Sequence, residues 1–534
     1  MHYWAEQGPA TREELHFDDR RIRCFAERPG GVHDMFAAAV ARNPDGEALV
    51  FGERRLTWSE LDRRVARVAA GLRRRGIRSR DRVALLLGNR DEFIVAFYAV
   101  ARLGAIAVPL NIREQKPELA YVLTHCGASM LIFETDLAER LPEPAAVPAL
   151  RWRIAVGLCS GAEDFAALLG DEEMTEAVPV AEEDVSVILY TSGTTGRPKG
   201  AMVTHLGMVH SAMHYQYAMG LSAADRALVA VPMTHVTGTV ALVVVMARCA
   251  GTLVVMANFK AADFLGLMER ERITYTLLVP AMYNLCLLQP NFNRFDLSAW
   301  RIGGFGGAPM PLPTIQRFAE EVPRLKLMNA YGATETTSPA TLMPPQFTAA
   351  HVDSVGLAVA CAEVKVVDID GLQVPAGDSG ELWIKGPMVV KGYWQDPAAT
   401  AREITDGFWH SGDIGDIDRE GFVRVFDRKK DMINRAGYKV FPAEVESVLS
   451  AHPHVIEVAV VGKPCPVLGE RVHAFVTIKA ENVSAEELQR FCAERLSDYK
   501  VPESYTLQTA PLPRNANGKL IKRVLKNSLP AAAT

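Results

Sequence analysis

Residues 190–200 (YTSGTTGRPKG) form the stretch of the sequence best suited to chemistry. They follow a short apolar run, residues 185–189, which predicts a buried strand. The glycines, threonines and serine leave backbone N–H groups open to a ligand, and Lys199 closes the turn with a cation. The segment therefore predicts a phosphate-binding loop. It is not the G-x-x-x-x-G-K-[ST] nucleotide loop, because Gly200 follows Lys199.

Four further segments along the chain contain side chains of types that react or bind phosphate. They are 232–238 (PMTHVTG), 329–337 (NAYGATETT), 411–413 (SGD) with 427–431 (DRKKD), and 517–519 (NGK). Together with the loop at 190–200 they resemble the motifs of the adenylate-forming enzymes, which include acyl-CoA synthetases, peptide-synthetase adenylation domains and firefly-luciferase-like proteins. The resemblance extends from about residue 36 to 524.

The resemblance implies a reaction in two steps. An acid and ATP give an acyl-adenylate and pyrophosphate, and a thiol then displaces AMP. The first step brings two anions together, which repel by about 1 kcal/mol at ~4 Å in water and roughly 4 kcal/mol at an effective dielectric of 20. Preorganised cations and N–H donors must offset that repulsion. The resemblance also implies that ATP, Mg²⁺ and coenzyme A are the cofactors.

Each motif also implies residue roles. Lys199 meets the departing pyrophosphate, Thr334 offers its hydroxyl to a phosphate, and Lys519 bridges the acid and the α-phosphate. Glu335 holds Mg²⁺ together with Thr191. The implied catalytic set is Lys519, His235, Glu335, Thr334 and Lys199.

The remaining positions form three implied sites. The implied nucleotide site comprises Thr191, Ser192, Gly193, Thr194, Thr195, Gly196, Lys199, Gly307, Ala308, Pro309, Asn329, Ala330, Tyr331, Gly332, Thr334, Asp413, Arg428 and Lys519. The implied acid pocket comprises His235, Val236, Gly238, Val240, Gly303, Phe305 and Gly306. Gly437, Tyr438 and Arg248 are the implied coenzyme A contacts, and Lys430 is the implied hinge residue.

Taken singly, these residues have simpler interpretations. Glu335 and Lys430 would be solvated charges, Asp413 a turn-stabilising aspartate, and His235 a core histidine. Residues 424–439 include six basic side chains that would attract coenzyme A phosphates, although such a run is usually a solvated face.

The elements that must position these residues alternate between strand and helix. Strands are predicted at 83–87, 105–110, 130–133, 228–231, 253–256, 275–279 and 301–305, and helices at 91–102, 117–125, 201–217, 237–247, 261–272 and 282–288. Short strands follow at 363–367, 380–385 and 422–426, and then strands at 455–461 and 473–478 with a helix at 484–496. The pattern predicts an α/β fold: a large N-terminal domain of two α/β layered halves plus a small β-rich subdomain, and a small mobile α+β C-terminal domain. The predicted divisions are a nucleotide-binding domain at 1–426, a hinge at 427–431 and a lid at 432–534.

Bulk properties agree with a soluble enzyme. The chain has 534 residues, 49% hydrophobic and 23% charged, which favours two or more domains with large cores. A net charge of −5 argues against nucleic acid as a partner. Eight scattered cysteines without ligand spacing predict reduced thiols in the cytoplasm. We expect no signal peptide and no transmembrane segment, because the apolar run 236–247 ends at Arg248, short of the ~20 residues a span needs. Peripheral membrane contact, and a monomer or a homodimer, stay open.

The sequence limits the acid without fixing it. Amino-acid-activating relatives carry an aspartate shortly after the P-x-x-H position, whereas residues 236–240 (VTGTV) contain no carboxylate. Val236, Val240 and Phe305 favour an apolar acid, with a fatty acid preferred over an alicyclic or an aromatic one. The motifs also leave open an acyl-AMP ligase that loads a carrier protein, a luciferase-like oxidase, and a nucleotide-binding relative without turnover. The presence of both Glu335 and Lys519 argues against the last.

Overall fold

The computed structural model describes residues 3–191, 197–479, 483–514 and 520–529. By their contacts, the described residues fall into two compact units. The first unit comprises Met1–Lys365, Trp383–His410 and Asp418–Val423, and the second comprises Val366–Leu382, Ser411–Ile417 and Arg424–Thr534. The domain limits predicted from the sequence, with a hinge at 427–431, stay a prediction.

A seven-stranded sheet forms one half of the first unit. Its strand order is Lys199–Thr204, Val185–Thr191, Ile106–Pro109, Arg82–Leu86, Met130–Glu134, Trp152–Val156 and Glu163–Asp164. All neighbours run parallel except the first pair, which is antiparallel. Helix Trp58–Arg74 precedes the strand Arg82–Leu86, and helices Asp91–Arg102 and Lys116–Cys126 connect successive strands of this sheet. The parallel order follows from the strand–helix–strand rhythm of the sequence.

The other half of the first unit contains nine consecutive strands of a larger sheet. Their order is Ser354–Ala358, Thr341–Leu342, Lys326–Tyr331, Ile302–Phe305, Tyr275–Leu278, Arg226–Val229, Thr252–Val255, Glu47–Phe51 and Arg54–Thr57. The six central strands are parallel. Helices in this part of the chain are Val32–Arg42, His205–Met219, Ala261–Arg270, Pro280–Leu287 and Leu312–Glu321. Both faces of the parallel strands are buried, which explains their continuous apolar runs.

The chain between residues 363 and 428 forms short strands and one helix. The strands are Glu363–Val367, Gly380–Lys385, Ile404–Thr405, Phe408–Ile417 and Val423–Arg428, and the helix is Pro397–Glu403. The first two strands have the predicted bounds, and this segment is the predicted β-rich part.

The second unit has its own sheet and core. Tyr438–Val440, Ile433–Arg435, Gly469–Ile478 and Val455–Cys465 are antiparallel neighbours, and Ser504–Gln508 pairs in parallel with Gly469–Ile478. The helices of this unit are Pro442–Ser450, Ala485–Ala493 and Lys522–Ser528. Val445, Leu449 and Leu488 are fully buried against the sheet.

One predicted helix is wrong at its start. Residues 201–204 were expected in a helix, but they lie in the strand Lys199–Thr204, and the helix begins at His205. The strand forms because residues 199–204 pair in register with Val185–Thr191. Thr204 then caps the helix by accepting a hydrogen bond from the Gly207 N–H at 3.1 Å.

The apolar run at 236–247 is a buried helical segment, as predicted. It comprises Val236–Gly238, a π-helical turn at Thr239–Val244 and Val245–Cys249. Among the described residues no helix combines the length and apolar character needed to cross a membrane. All eight cysteines are free thiols.

Candidate active site

The phosphate-loop lysine lies at the base of a β-hairpin. Strands Val185–Thr191 and Lys199–Thr204 pair antiparallel, and the register sets Thr191 opposite Lys199. The predicted loop residues Ser192, Gly193, Thr194, Thr195 and Gly196 lie outside the described residues. The hairpin therefore fixes the hydroxyl of one predicted metal ligand and the predicted phosphate cation on facing strands.

Lys199 contacts a carboxylate that the sequence analysis did not identify. Its Nζ lies 2.7 and 2.6 Å from Oε1 and Oε2 of Glu403, the last residue of the helix Pro397–Glu403. The same Nζ is 4.2 Å from the ring centroid of Tyr393. Burial opposes ionisation of Glu403, but hydrogen bonds from Lys199 and Tyr393 outweigh it and lower the pKa of this carboxyl.

Tyr393 connects this pair to the predicted metal ligand. Its hydroxyl is 2.7 Å from Oε2 of Glu403 and 3.2 Å from Oε1 of Glu335. Burial, and then the neighbouring carboxylates, raise the pKa of Tyr393, so the hydroxyl keeps its proton as a donor. The sequence analysis did not identify Tyr393 either, because the residues around it in the sequence form no motif that indicates a role in the site.

Glu335 and Thr191 have the chemistry of a magnesium site. Glu335 is only 9% exposed, and the Thr191 hydroxyl donates to its Oε1 at 3.4 Å. Carboxylate and hydroxyl oxygens are ligands that Mg²⁺ prefers, and the long hydrogen bond is easily exchanged for a shared cation. The residues present therefore fit the ion. Thr334, also 9% exposed, precedes Glu335 in the short helix Thr334–Thr336.

Two segments of the predicted nucleotide site, residues 307–309 and 329–332, lie at the ends of neighbouring parallel strands. Phe305 is opposite Asn329 in the pairing of Ile302–Phe305 with Lys326–Tyr331. A Cβ on Gly306 would lie 2.3 Å from the Ala330 carbonyl oxygen, so only glycine permits this approach. The structure thus brings residues 306–309 beside residues 329–332, at the carboxyl edge where open α/β sheets bind ligands.

The predicted acid-pocket residues occupy two places in the first unit. His235 is exposed and caps the helical segment that begins at Val236, accepting the Thr237 N–H at 3.4 Å. It is therefore not a core histidine. Val236, Gly238 and Val240 are buried just after it.

Gly303 and Phe305 lie in the strand Ile302–Phe305 and are also buried. A Cβ on Gly303 would lie 2.9 Å from the Tyr283 hydroxyl and 3.0 Å from Leu327. Tyr283 thus fills the space beside Gly303, and its own hydroxyl donates to the Gly304 carbonyl at 2.8 Å.

Two residues of the predicted nucleotide site, Asp413 and Arg428, meet in the second unit. Arg428 Nε is 2.7 Å from Oδ1 of Asp413, and Arg428 Nη1 donates to the Ser411 carbonyl at 3.1 Å. Asp413 is 5% exposed, and its N–H donates to Ser411 Oγ at 2.9 Å. The serine hydroxyl thereby stabilises this turn. Lys519, the predicted catalytic lysine, lies outside the described residues.

The predicted hinge and coenzyme A residues differ in how far they are exposed to solvent. Lys430 is exposed. Gly437 has a φ of +90° and open space where a Cβ would be, and Tyr438 is 58% exposed and stacks on Tyr499. Arg248, in the first unit, is half-buried, with Nη2 3.5 Å from the Tyr217 hydroxyl.

Besides Arg428, which pairs with Asp413, three members of the basic run 424–439 form ion pairs. The pairs are Arg424–Asp416 at 2.6 Å, Lys429–Glu381 at 3.0 Å and Arg435–Glu503 at 2.6 Å. Those carboxylates reduce the positive potential that the sequence alone suggests.

Known protein families and relatives match this chain over most of its length. The model of the AMP-binding enzyme family matches residues 36–394, and that of the AMP-binding enzyme C-terminal domain matches residues 444–519. The chain is 37% identical over 482 residues to a feruloyl-CoA synthase of an Amycolatopsis species, covering 90% of this chain and 95% of the relative. It is 34% identical over 485 residues to a long-chain-fatty-acid–CoA ligase of Mycobacterium tuberculosis, covering 89% and 94%.

Solved structures give the same result. The o-succinylbenzoate CoA synthetase of Bacillus subtilis, in complex with its acyl-adenylate intermediate, aligns with a TM-score of 0.84 at 30% identity, covering 95% of this chain and 99% of that one. The same synthetase in complex with ATP and a magnesium ion aligns with a TM-score of 0.82 at 30% identity, covering 93% and 98%.

Proposed function

The chain belongs to the AMP-binding enzyme family, and on that premise we propose that it is an ATP-dependent acid–CoA ligase acting on a hydrophobic acid, foremost a fatty acid. One observation carries the proposal: Thr191 and Lys199 lie opposite each other on paired strands, and Glu335 contacts Thr191. A hydroxyl, a carboxylate and a cation are thereby gathered where a polyphosphate and its metal would need them. The named relatives are CoA ligases of fatty, aryl and related acids.

In the first half-reaction the acid's carboxylate attacks the α-phosphorus and pyrophosphate leaves. Lys199 binds the leaving phosphates, and the Thr334 hydroxyl donates to a phosphate oxygen. Glu335 and Thr191 would hold Mg²⁺, which neutralises phosphate charge when bound. Lys519 donates to both the substrate carboxylate and an α-phosphate oxygen, and so reduces the repulsion between the two anions.

In the second half-reaction a thiolate attacks the acyl carbon and AMP leaves. We assign ribose binding to Asp413, held by Arg428, and passage of the pantetheine arm to the open space at Gly437. The proposed hinge at 427–431, with Lys430, would move Lys519 away for this step.

An aryl acid is the second candidate. It is favoured by the feruloyl-CoA synthase, which is 37% identical, against 34% for the fatty-acid ligase. Apolar residues such as Val236, Val240 and Phe305 suit either acid.

Pyrophosphate release across a panel of fatty, aryl and alicyclic acids, with and without coenzyme A, tests the proposal. We expect release with apolar acids, and AMP release that requires coenzyme A. Lys519→Ala should abolish adenylation while thioester formation from supplied acyl-AMP persists. AMP release that is independent of coenzyme A would instead favour transfer to a carrier protein or oxidation. Equal loss of both half-reactions in Lys519→Ala would contradict the role of this lysine.

A further inference from the structure

Lys199, the cation of the phosphate hairpin, is already bound to an anion of the same chain. Both carboxylate oxygens of Glu403 lie within 2.7 Å of Nζ. The two side chains are 13% and 22% exposed, so water screens the pair only in part. Two of the three ammonium hydrogens are thus directed at Glu403, which leaves one for any phosphate.

Glu403 is held in this position from two other sides. The Tyr393 hydroxyl lies 2.7 Å from Oε2, and Arg402 donates to Oε1 at 3.0 Å. The carboxylate therefore has a fixed site beside Lys199 and is not simply a mobile surface group that happens to meet a lysine.

Two carboxylates share one tyrosine hydrogen in this cluster. The Tyr393 hydroxyl is near both Glu403 and Glu335, but its single hydrogen serves one acceptor at a time. The shorter distance assigns the hydrogen to Glu403. Glu335 would gain it if Glu403 withdrew.

We propose that Glu403 is a built-in competitor for the phosphates of ATP, a positioning residue that keeps Lys199 oriented until the nucleotide binds and is then displaced. The inference rests on the proposed function, since it takes Lys199 as a phosphate ligand. A polyphosphate carries more charge than one carboxylate and so wins the lysine, but part of its binding free energy is used to displace Glu403. Displacement also releases the Tyr393 hydrogen to Glu335.

Removing this charge should tighten nucleotide binding. Glu403→Gln keeps the shape of the side chain and its contact with Tyr393, but no longer forms an ion pair with Lys199. We expect the Kd of a non-hydrolysable ATP analogue with Mg²⁺ to fall about tenfold, equivalent to ~1.4 kcal/mol. The KM for ATP should fall in parallel, with the KM for the acid and for coenzyme A unchanged.

The matched control is Glu172→Gln, which removes one carboxylate from an exposed ion pair with Arg73 in the same unit. It should leave the Kd unchanged, and a melting temperature measured for each variant checks folding. If Glu403→Gln binds the analogue no tighter than the unsubstituted chain, or if all three KM values change together, the inference is wrong. If the unsubstituted chain fails to bind the analogue at all, the proposed function itself is wrong.

Discussion

Three buried histidines on the helix His205–Met219 predict that the first unit loses stability in mild acid. Each imidazole accepts a backbone N–H from a distant segment. The donors to His205, His210 and His214 are Val32 at 3.2 Å, Phe25 at 3.2 Å and Cys361 at 3.3 Å, respectively. A protonated imidazole has no acceptor, so protonation breaks these contacts. The helix follows directly on the strand that carries Lys199, so its loss would disturb the phosphate hairpin.

The direction and the size of this change in stability follow from the pKa values of the buried groups. Burial lowers the pKa of His210 from 6.5 to about 3 and that of His205 to about 4. The folded state therefore binds fewer protons than the unfolded state below pH 6.5, and stability falls as the pH falls through that value. His205 and His210 each remove about 2 kcal/mol by about pH 5. Glu114 acts in the opposite direction, because burial raises its pKa to about 7, which adds about 2.5 kcal/mol over the same interval.

Because several groups titrate in the same pH range, the test compares how steeply the free energy of unfolding changes with pH in the unsubstituted chain and in a variant. His210→Gln removes one titrating group from the buried set. Between about pH 7.5 and about pH 5 we expect the unsubstituted chain to lose about 2 kcal/mol more unfolding free energy than the variant, measured by urea denaturation of the first unit followed by circular dichroism. Met213→Ala, a fully buried change on the same helix, should lower stability equally at both pH values. Parallel pH dependence in the unsubstituted chain and His210→Gln would refute the argument.

Three shorter predictions concern residues nearer the chemistry. Gly238→Ala would place a Cβ 2.3 Å from the Pro232 carbonyl oxygen, and we expect a loss of about 2–3 kcal/mol in stability, seen as a lower urea midpoint. Arg428→Gln should weaken AMP binding about tenfold in calorimetry, because Asp413 loses its charged partner; unchanged affinity would contradict the ribose assignment. Glu335→Gln should raise the Mg²⁺ concentration needed for half-maximal pyrophosphate release about tenfold, an effect that excess Mg²⁺ reverses.

Elements with strong local signals were predictable from the sequence. The helix Asp91–Arg102 has the predicted bounds because acidic residues open it, apolar residues fill it and Gly104 follows it with a φ of +61°. The predicted α/β fold class is confirmed by the match to solved adenylate-forming enzymes. Residues 201–204 were misassigned because their strand depends on pairing with Val185–Thr191, which no local propensity records.

The candidate site divides in the same way. Motif residues such as Glu335 and Asp413 can be predicted from the sequence because their type and their order in the chain are informative. Glu403 was not, since it lies 204 residues from Lys199 and ends a helix whose sequence, PAATARE, is typical of a solvated surface. A contact between residues so far apart in the chain depends on the tertiary fold, and the pattern of residues in a single sequence does not predict it.

Hairpin register, more than loop composition, determines where the phosphate cation lies. Because side chains alternate between the two faces of a strand, a slip of one residue in the pairing of Val185–Thr191 with Lys199–Thr204 would send Lys199 to the opposite face. Lys199 would then no longer lie on the same face as Thr191, and its ion pair with Glu403 would be lost. The paired strands therefore fix the position of the charge before any ligand binds, which is the preorganisation that a phosphate site needs.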